Sequence, residues 1–130
     1  MGPSFTLRQE HIDAIGKAYR EDFVRRLTRY LAVHQPDLAE GADLRAVANQ
    51  ALSLAAKRAI TEEEGITWLA AILLANLRAK QPVEWIDALL ERLEKPASGP
   101  VPSEEDRLTA VHREAERRGV VAARDREEAA

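Results

Sequence analysis

The chain has 130 residues, of which 45% are hydrophobic, 32% are charged and none is cysteine. This length suits one globular domain with its own core, and the lack of cysteine excludes disulfides, cysteine nucleophiles and thiolate metal sites. A net charge of −3, from 19 basic and 22 acidic residues, gives no electrostatic reason to expect nucleic acid as a partner. No stretch approaches the ~18 consecutive apolar residues of a membrane span, so we expect no membrane partner and a cytoplasmic location.

The composition favours an all-α fold. Alanine and leucine are abundant, β-branched runs are few, and aromatic residues make up only 5% of the chain. We predict a compact bundle of about four helices around a long N-terminal helix, with a peripheral C-terminal helix. The corresponding segments are a helical core domain (1–94), a Pro-rich linker (95–102), the peripheral helix (103–119) and a flexible tail (120–130).

The longest predicted helix covers residues 7–34. Thr6 and Gln9 have the spacing of a capping box at its start, and Pro36 ends it because the residue before a proline is disfavoured in helical geometry. At roughly 40 Å it would serve as a spine for the shorter helices. Residues placed 100° apart on a helical wheel predict one buried stripe, formed by Ile12, Ile15, Tyr19, Phe23, Leu27, Tyr30 and Val33.

Three shorter helices are predicted next, over about 43–58, 62–80 and 82–94. The first has an alanine-rich face that permits close packing on the long helix. The second begins at Thr61, which has the capping-box spacing with Glu64, and its segment ITWLAAILLANL is apolar almost all round. We therefore predict that this helix is the most buried. The third begins at Pro82, a residue that favours the first helical position.

The last predicted helix follows the linker KPASGPVP. Ser103 with Asp106 forms a cap at its start, and Gly119 can end it in left-handed geometry. Its apolar residues are few, with Leu108 and Val111 backed by little else. We therefore expect this helix to be loosely docked.

The sequence contains no recognisable catalytic or cofactor-binding motif. The three histidines, at positions 11, 34 and 112, lack the spacing of paired metal ligands, and the glycines do not form a nucleotide-binding loop. The acidic run at 62–64 is interpreted as stabilising the positive end of a helix. We therefore predict no metal site, no cofactor and no enzymatic activity.

Five residues are candidates for binding a protein partner, each with a structural alternative. Arginines late in the long helix complement its negative end, although Arg26 lies beside the apolar stripe and, if partly buried, needs an anionic or carbonyl partner. That partner is internal or belongs to another protein, and we favour the internal one. Tryptophan is enriched in binding hot spots, but here both tryptophans are more often expected to anchor the core. The candidates are Arg25, Arg26, Arg29, Trp68 and Trp85.

Several fragments together resemble one family. They are Phe23, Arg26 and Leu27 followed by Leu31 and Pro36; AKRAIT at 56–61 running into the acidic start of an apolar helix; Pro82 with Trp85 and Leu89; and Pro-Ser-x-x-x-Arg-Leu around Arg107 and Leu108. Over about residues 5–118 the chain resembles small helical proteins of Gram-negative bacteria encoded beside type VI secretion spike-tip proteins and their toxic effectors. The resemblance implies an adaptor or chaperone that binds a secreted effector or a spike component.

The leading hypothesis is therefore a non-catalytic interaction module with a protein partner, and the sequence leaves homo-oligomerisation open. The alternative is an immunity protein that inhibits a neighbouring toxin. A third and weaker hypothesis is a small helical enzyme or a nucleotide-binding protein.

Overall fold

The computed structural model describes residues 9–121 and the side chains of residues 16–121. All regular structure in this range is helical, which confirms the all-α prediction. The predicted start at residue 7, the Thr6 cap, the side chains of Ile12 and Ile15, and the tail from residue 122 lie outside the described residues. The helices are α1 (Gln9–His34), α2 (Pro36–Ala39), α3 (Leu44–Lys57), α4 (Glu63–Arg78), α5 (Glu84–Glu94) and α6 (Glu104–Arg117).

Several helices begin or end at the residues that local sequence signals predict. Helix α1 ends at His34, and Pro36 starts the single turn of α2. At the start of α6 the Ser103 hydroxyl accepts a hydrogen bond from the Asp106 N–H, with 3.1 Å between the two atoms. Gly119 follows α6 with a φ of 74°, a left-handed conformation that glycine adopts without a Cβ clash. These boundaries need only neighbouring residues, which is why the sequence predicts them.

The start of α4 differs from the predicted capping box. Glu62 occupies the capping position, and its side chain makes no capping hydrogen bond. Instead, the carboxylate of Glu104 on α6 accepts hydrogen bonds from the N–H groups of Thr61 (2.8 Å) and Glu62 (3.2 Å). A negative charge stabilises this end of a helix, where backbone N–H groups lack partners within the helix. The predicted pairing of Thr61 with Glu64 was therefore wrong, because another helix supplies the cap.

Helix α4 lies at the centre of the core, as predicted. Helices α3 and α6 pack along it, α2 contacts it, and α1 packs mainly on α3. The facing side of α3 is formed by Val47 and the small residues Ala48, Ala51 and Ala55, which allow close approach. The buried apolar side chains of α4 include Ile66, Leu69, Ala70, Ile72, Leu73 and Leu74.

Asn76 is the buried polar residue of α4, and its hydrogen bonds are satisfied inside the protein. Its side-chain nitrogen donates to the carbonyl oxygens of Gln81 and Pro82, and its side-chain oxygen accepts from the indole N–H of Trp85, all at 2.9 Å. These bonds hold the turn that leads into α5. Helix α5 begins at Glu84, two residues after the predicted start at Pro82.

The buried face of α1 is only partly the predicted one. Phe23 and Leu27 are buried as predicted, but Val24 and Leu31 are buried beside them. Because α1 packs mainly on α3, the position of α3 selects this face, and helical periodicity alone cannot reveal that position. The remaining described members of the predicted stripe are exposed: Tyr19 (56%), Tyr30 (43%) and Val33 (65%).

Helix α6 is packed into the core instead of being loosely docked at its periphery. Leu108, Val111 and Ala115 are buried and belong to the same apolar cluster as the residues of α4. Gly65 favours this close packing, because a Cβ at that position would lie 2.8 Å from the Leu108 Cδ1 atom and the leucine side chain would have to shift. The buried Arg107 adds a polar anchor, since its guanidinium donates to the carbonyl oxygen at the C-terminal end of α3 (2.8 Å). Few apolar residues therefore suffice to dock this helix.

Arg58, just after α3, connects α3 to α5. Its guanidinium donates to the carboxylates of Asp87 (2.6 Å), Glu91 (3.0 Å) and Glu94 (3.2 Å), while its side chain is only 8% exposed. Lys57 donates to Asp87 as well (2.8 Å). The hydrogen bonds from Arg58, followed by that from Lys57, hold the pKa of Asp87 below its ordinary value. The buried guanidinium is thus fully paired with carboxylates.

Leu73→Ala tests the central position of α4. The Leu73 side chain is 2% exposed, so its truncation leaves a cavity and should lower the free energy of unfolding by about 2–5 kcal/mol. Urea unfolding followed by circular dichroism measures this change. Leu77→Ala is the matched control on the same helix, because Leu77 is 51% exposed and its truncation should cost less than about 1 kcal/mol. Equal losses for the two variants would contradict the central placement of α4.

Candidate functional site

Two open grooves lie side by side over the N-terminal half of α4, and Glu64 and Trp68 line both of them. The α1–α4 groove has a volume of about 380 Å³ and is lined by Phe23, Arg26, Leu27, Tyr30, Glu63, Glu64, Thr67 and Trp68. The α4–α6 groove has a volume of about 410 Å³ and is lined by Glu62, Glu64, Gly65, Trp68, Ser103, Glu104, Glu105, Leu108 and Thr109. We call the two grooves and the ridge between them the Trp68 face.

Trp68 is the exposed tryptophan of the protein. Its side chain is 42% exposed, although it belongs to the helix that is otherwise most buried. Its ring lies near the His112 imidazole of α6, with 5.6 Å between the ring centres. The interpretation of Trp68 as a core anchor was therefore wrong. Its indole presents a large apolar surface between the two grooves.

Arg26 lies at the edge of the α1–α4 groove and is paired within the protein. Its Nε donates to Asp22 (2.9 Å), and its two terminal nitrogens donate to the two carboxylate oxygens of Glu63 (3.1 Å each). Its guanidinium also lies 5.3 Å from the centre of the Phe23 ring. The favoured internal partner of Arg26 is therefore present. The predicted burial is not, because the side chain is 46% exposed.

The ion pairs around Arg26 shift the pKa values of its partners. Hydrogen bonds from Arg26, followed by one from the Tyr19 hydroxyl, hold the pKa of Glu63 below its ordinary value. The bond from Arg26 does the same to the pKa of Asp22, with a smaller effect from Arg25. Both carboxylates are therefore ionised at neutral pH, and the cluster links α1 to the first turn of α4.

The structure brings together two of the five sequence candidates and separates the other three. Arg26 and Trp68 line the α1–α4 groove, whereas neither groove includes Arg25, Arg29 or Trp85. Arg25 pairs with an aspartate one turn earlier and is 68% exposed, and Arg29 is exposed as well. Trp85 is 8% exposed and anchors the core, as its structural interpretation predicted.

Several residues of the Trp68 face could not be predicted from the sequence. Tyr30 belongs to the predicted buried stripe, yet it lines the α1–α4 groove. Glu104 and Glu105 have the sequence pattern of ordinary first-turn acids, and no local signal places them beside Glu62 and Glu64 of the α4 region. Only the packing of α6 on α4 reveals this acidic surface.

Among the side chains of residues 16–121, no cluster of three or more histidine, aspartate or glutamate residues is arranged to hold a metal ion. None of the helices within residues 9–121 combines the length and apolar character needed to cross a membrane. Comparison with known proteins found no matching family model, no matching curated protein and no matching solved structure. The resemblance to proteins encoded beside type VI secretion components remains a prediction.

Arg26→Met tests the ion-pair cluster. Because the pKa of Glu63 is lower in the folded state, its ion pair stabilises the fold above the ordinary value of 4.5, and this stabilisation is lost as the pH falls through the lowered pKa. Removal of the guanidinium should raise the pKa of Glu63 towards 4.5, as measured by NMR titration of the side-chain carboxyl carbon. The melting temperature should change little, because the pair is nearly half exposed.

Arg25→Met is the matched control, since Arg25 binds Asp22 but not Glu63. It should leave the pKa of Glu63 nearly unchanged. A Glu63 pKa that is the same in the wild type and in Arg26→Met would rule out the pairing.

Proposed function

We propose that the protein is a non-catalytic interaction module that binds one cognate protein across the Trp68 face. The observation that carries the proposal is the 42% exposure of Trp68 between two grooves. Water excluded from an exposed indole provides a favourable free energy of association, and tryptophan is enriched among the residues that dominate protein interfaces.

The α1–α4 groove supports this proposal through its mixture of apolar and polar surface. Phe23 and Leu27 are buried in its floor, whereas Tyr30 and Trp68 stay partly exposed and can contact a partner. The pair of Arg26 and Glu63 lies at the edge, where exposed hydrogen-bonding groups can orient a bound chain. An apolar centre with a polar rim is the usual composition of a protein-binding surface.

The sequence resemblance suggests the class of partner. In this proposal the module acts as an adaptor or chaperone for a secreted type VI effector or a spike component, and the Trp68 face covers an apolar segment of that partner before secretion. Co-expression with the protein encoded next to it, followed by gel filtration, tests this role. Persistent separate elution of the two proteins would count against it. Survival of cells that express the module and the toxin together, with secretion disabled, would favour the immunity role.

Trp68→Ala should weaken binding of the co-expressed partner by about 30-fold or more, the effect of losing an interfacial hot spot of ~2 kcal/mol. Isothermal titration calorimetry measures the dissociation constant, and circular dichroism should show an unchanged fold because the residue is not part of the buried core. Leu77→Ala is the control, since it removes an exposed apolar side chain of α4 outside both grooves. A Trp68→Ala protein with wild-type affinity would exclude the Trp68 face as the binding surface.

A further inference from the structure

The charged residues that line the α4–α6 groove are all acidic. Four glutamates line it (Glu62, Glu64, Glu104 and Glu105), and no lysine or arginine does. The carboxylate of Glu104 is occupied by the N–H groups at the start of α4. The other three glutamates form no ion pair with a lysine or arginine of the described range. Among the described side chains, therefore, no lysine or arginine is paired with these three carboxylates in the groove.

The same groove has apolar surface between these acids. The exposed Trp68 ring forms one side, and the Leu108 side chain and the backbone at Gly65 form part of the floor. Gly65 lets α6 lie close to α4 at this point, because a Cβ there would meet Leu108 and Glu104. An aromatic face beside carboxylates suits a cation on a long apolar stem, because the ring attracts the charge and the stem packs on apolar atoms.

We infer that the α4–α6 groove receives an arginine-bearing segment of the protein partner, an inference that rests on the proposed function. The guanidinium lies among the carboxylates of Glu62, Glu64 and Glu105, and its stem lies along Trp68. Arginine fits better than lysine because its planar group donates to several carboxylate oxygens and stacks on an aromatic ring. Nucleic acid is disfavoured here, since the phosphate backbone would face unpaired carboxylates.

The α1–α4 groove does not account for the preference for an arginine. In the α1–α4 groove the charge of Arg26 is already balanced by Glu63 and Asp22. That groove therefore provides mostly apolar contact, and the α4–α6 groove selects the sign of the charge that the partner carries.

The first experiment uses a capped peptide with one arginine flanked by leucines, and the same peptide with citrulline, which has nearly the same shape but no charge. Two-dimensional NMR of the protein resolves the indole N–H signals of its two tryptophans. The signal of Trp68 should shift with the arginine peptide, whereas that of Trp85 should not, because the buried Trp85 N–H is bonded to Asn76. Binding of the citrulline peptide should be at least about tenfold weaker, and added salt should weaken the binding of the arginine peptide.

Charge-removing variants locate the effect. Glu64→Gln and Glu105→Gln should each weaken the binding of the arginine peptide by about threefold to tenfold, because each removes one exposed carboxylate of the groove. Glu84→Gln is the matched control: Glu84 is an exposed glutamate at the start of α5 that lines neither groove. Glu104 is left intact because it caps α4.

Three results would overturn the inference. The first two are equal affinity for the arginine and citrulline peptides, and no shift of the Trp68 signal. The third is a Trp68 shift that depends on protein concentration in the absence of peptide, which would show that a second copy of the protein occupies the groove. The co-expressed partner separates this inference from the proposed function. If Trp68→Ala loses partner binding but the Glu64→Gln, Glu105→Gln double variant keeps it, the proposed function is supported. The inference that the α4–α6 groove binds an arginine of the partner is then rejected. No partner binding by the wild type would reject the function itself.

Discussion

The burial of α4 is the constraint on which the rest of the structure depends. A helix with so many apolar side chains must be covered on several sides, and any polar group buried with them must find a partner inside the protein. At one end Glu104 accepts from the N–H groups that precede the first turn, which places the start of α6. Near the other end Asn76 bonds to two carbonyl groups and to Trp85, which places the start of α5. The same burial therefore positions two further helices.

A second set of contacts joins these helices to α3. The Arg58 side chain binds three carboxylates along α5, and its carbonyl oxygen accepts from the Arg107 guanidinium of α6. One residue thus links three elements through both its side chain and its backbone. The guanidinium is buried, while the three carboxylates stay 26–56% exposed, so most of the desolvation falls on a group that keeps its charge at any ordinary pH.

Features that depend on neighbouring residues could be predicted from the sequence, and features that depend on packing could not. Pro36, Ser103 and Gly119 act on adjacent backbone, and the apolar run of α4 indicates burial whatever covers it. Which face of α1 is buried could not be predicted in this way. The apolar residues of α1 occupy more of the helix circumference than one neighbouring helix buries, so some of them remain exposed. Likewise, Trp68 and Trp85 have equivalent sequence signals, and only the positions of α1 and α6 leave one of them exposed.

The exposure of Trp68 follows from the same packing that stabilises the core. Helix α1 packs mainly on α3, whereas α3 and α6 pack along α4, and the grooves on either side of Trp68 remain open. Leu73 lies five residues beyond Trp68, about 140° further round the helix, and is buried. One helix therefore has a side that supports the fold and another that contacts solvent. Because the core is complete without the Trp68 ring, the apolar surface of that ring stays exposed to solvent, and the binding that we propose there would require no rearrangement of the helices that hold α4.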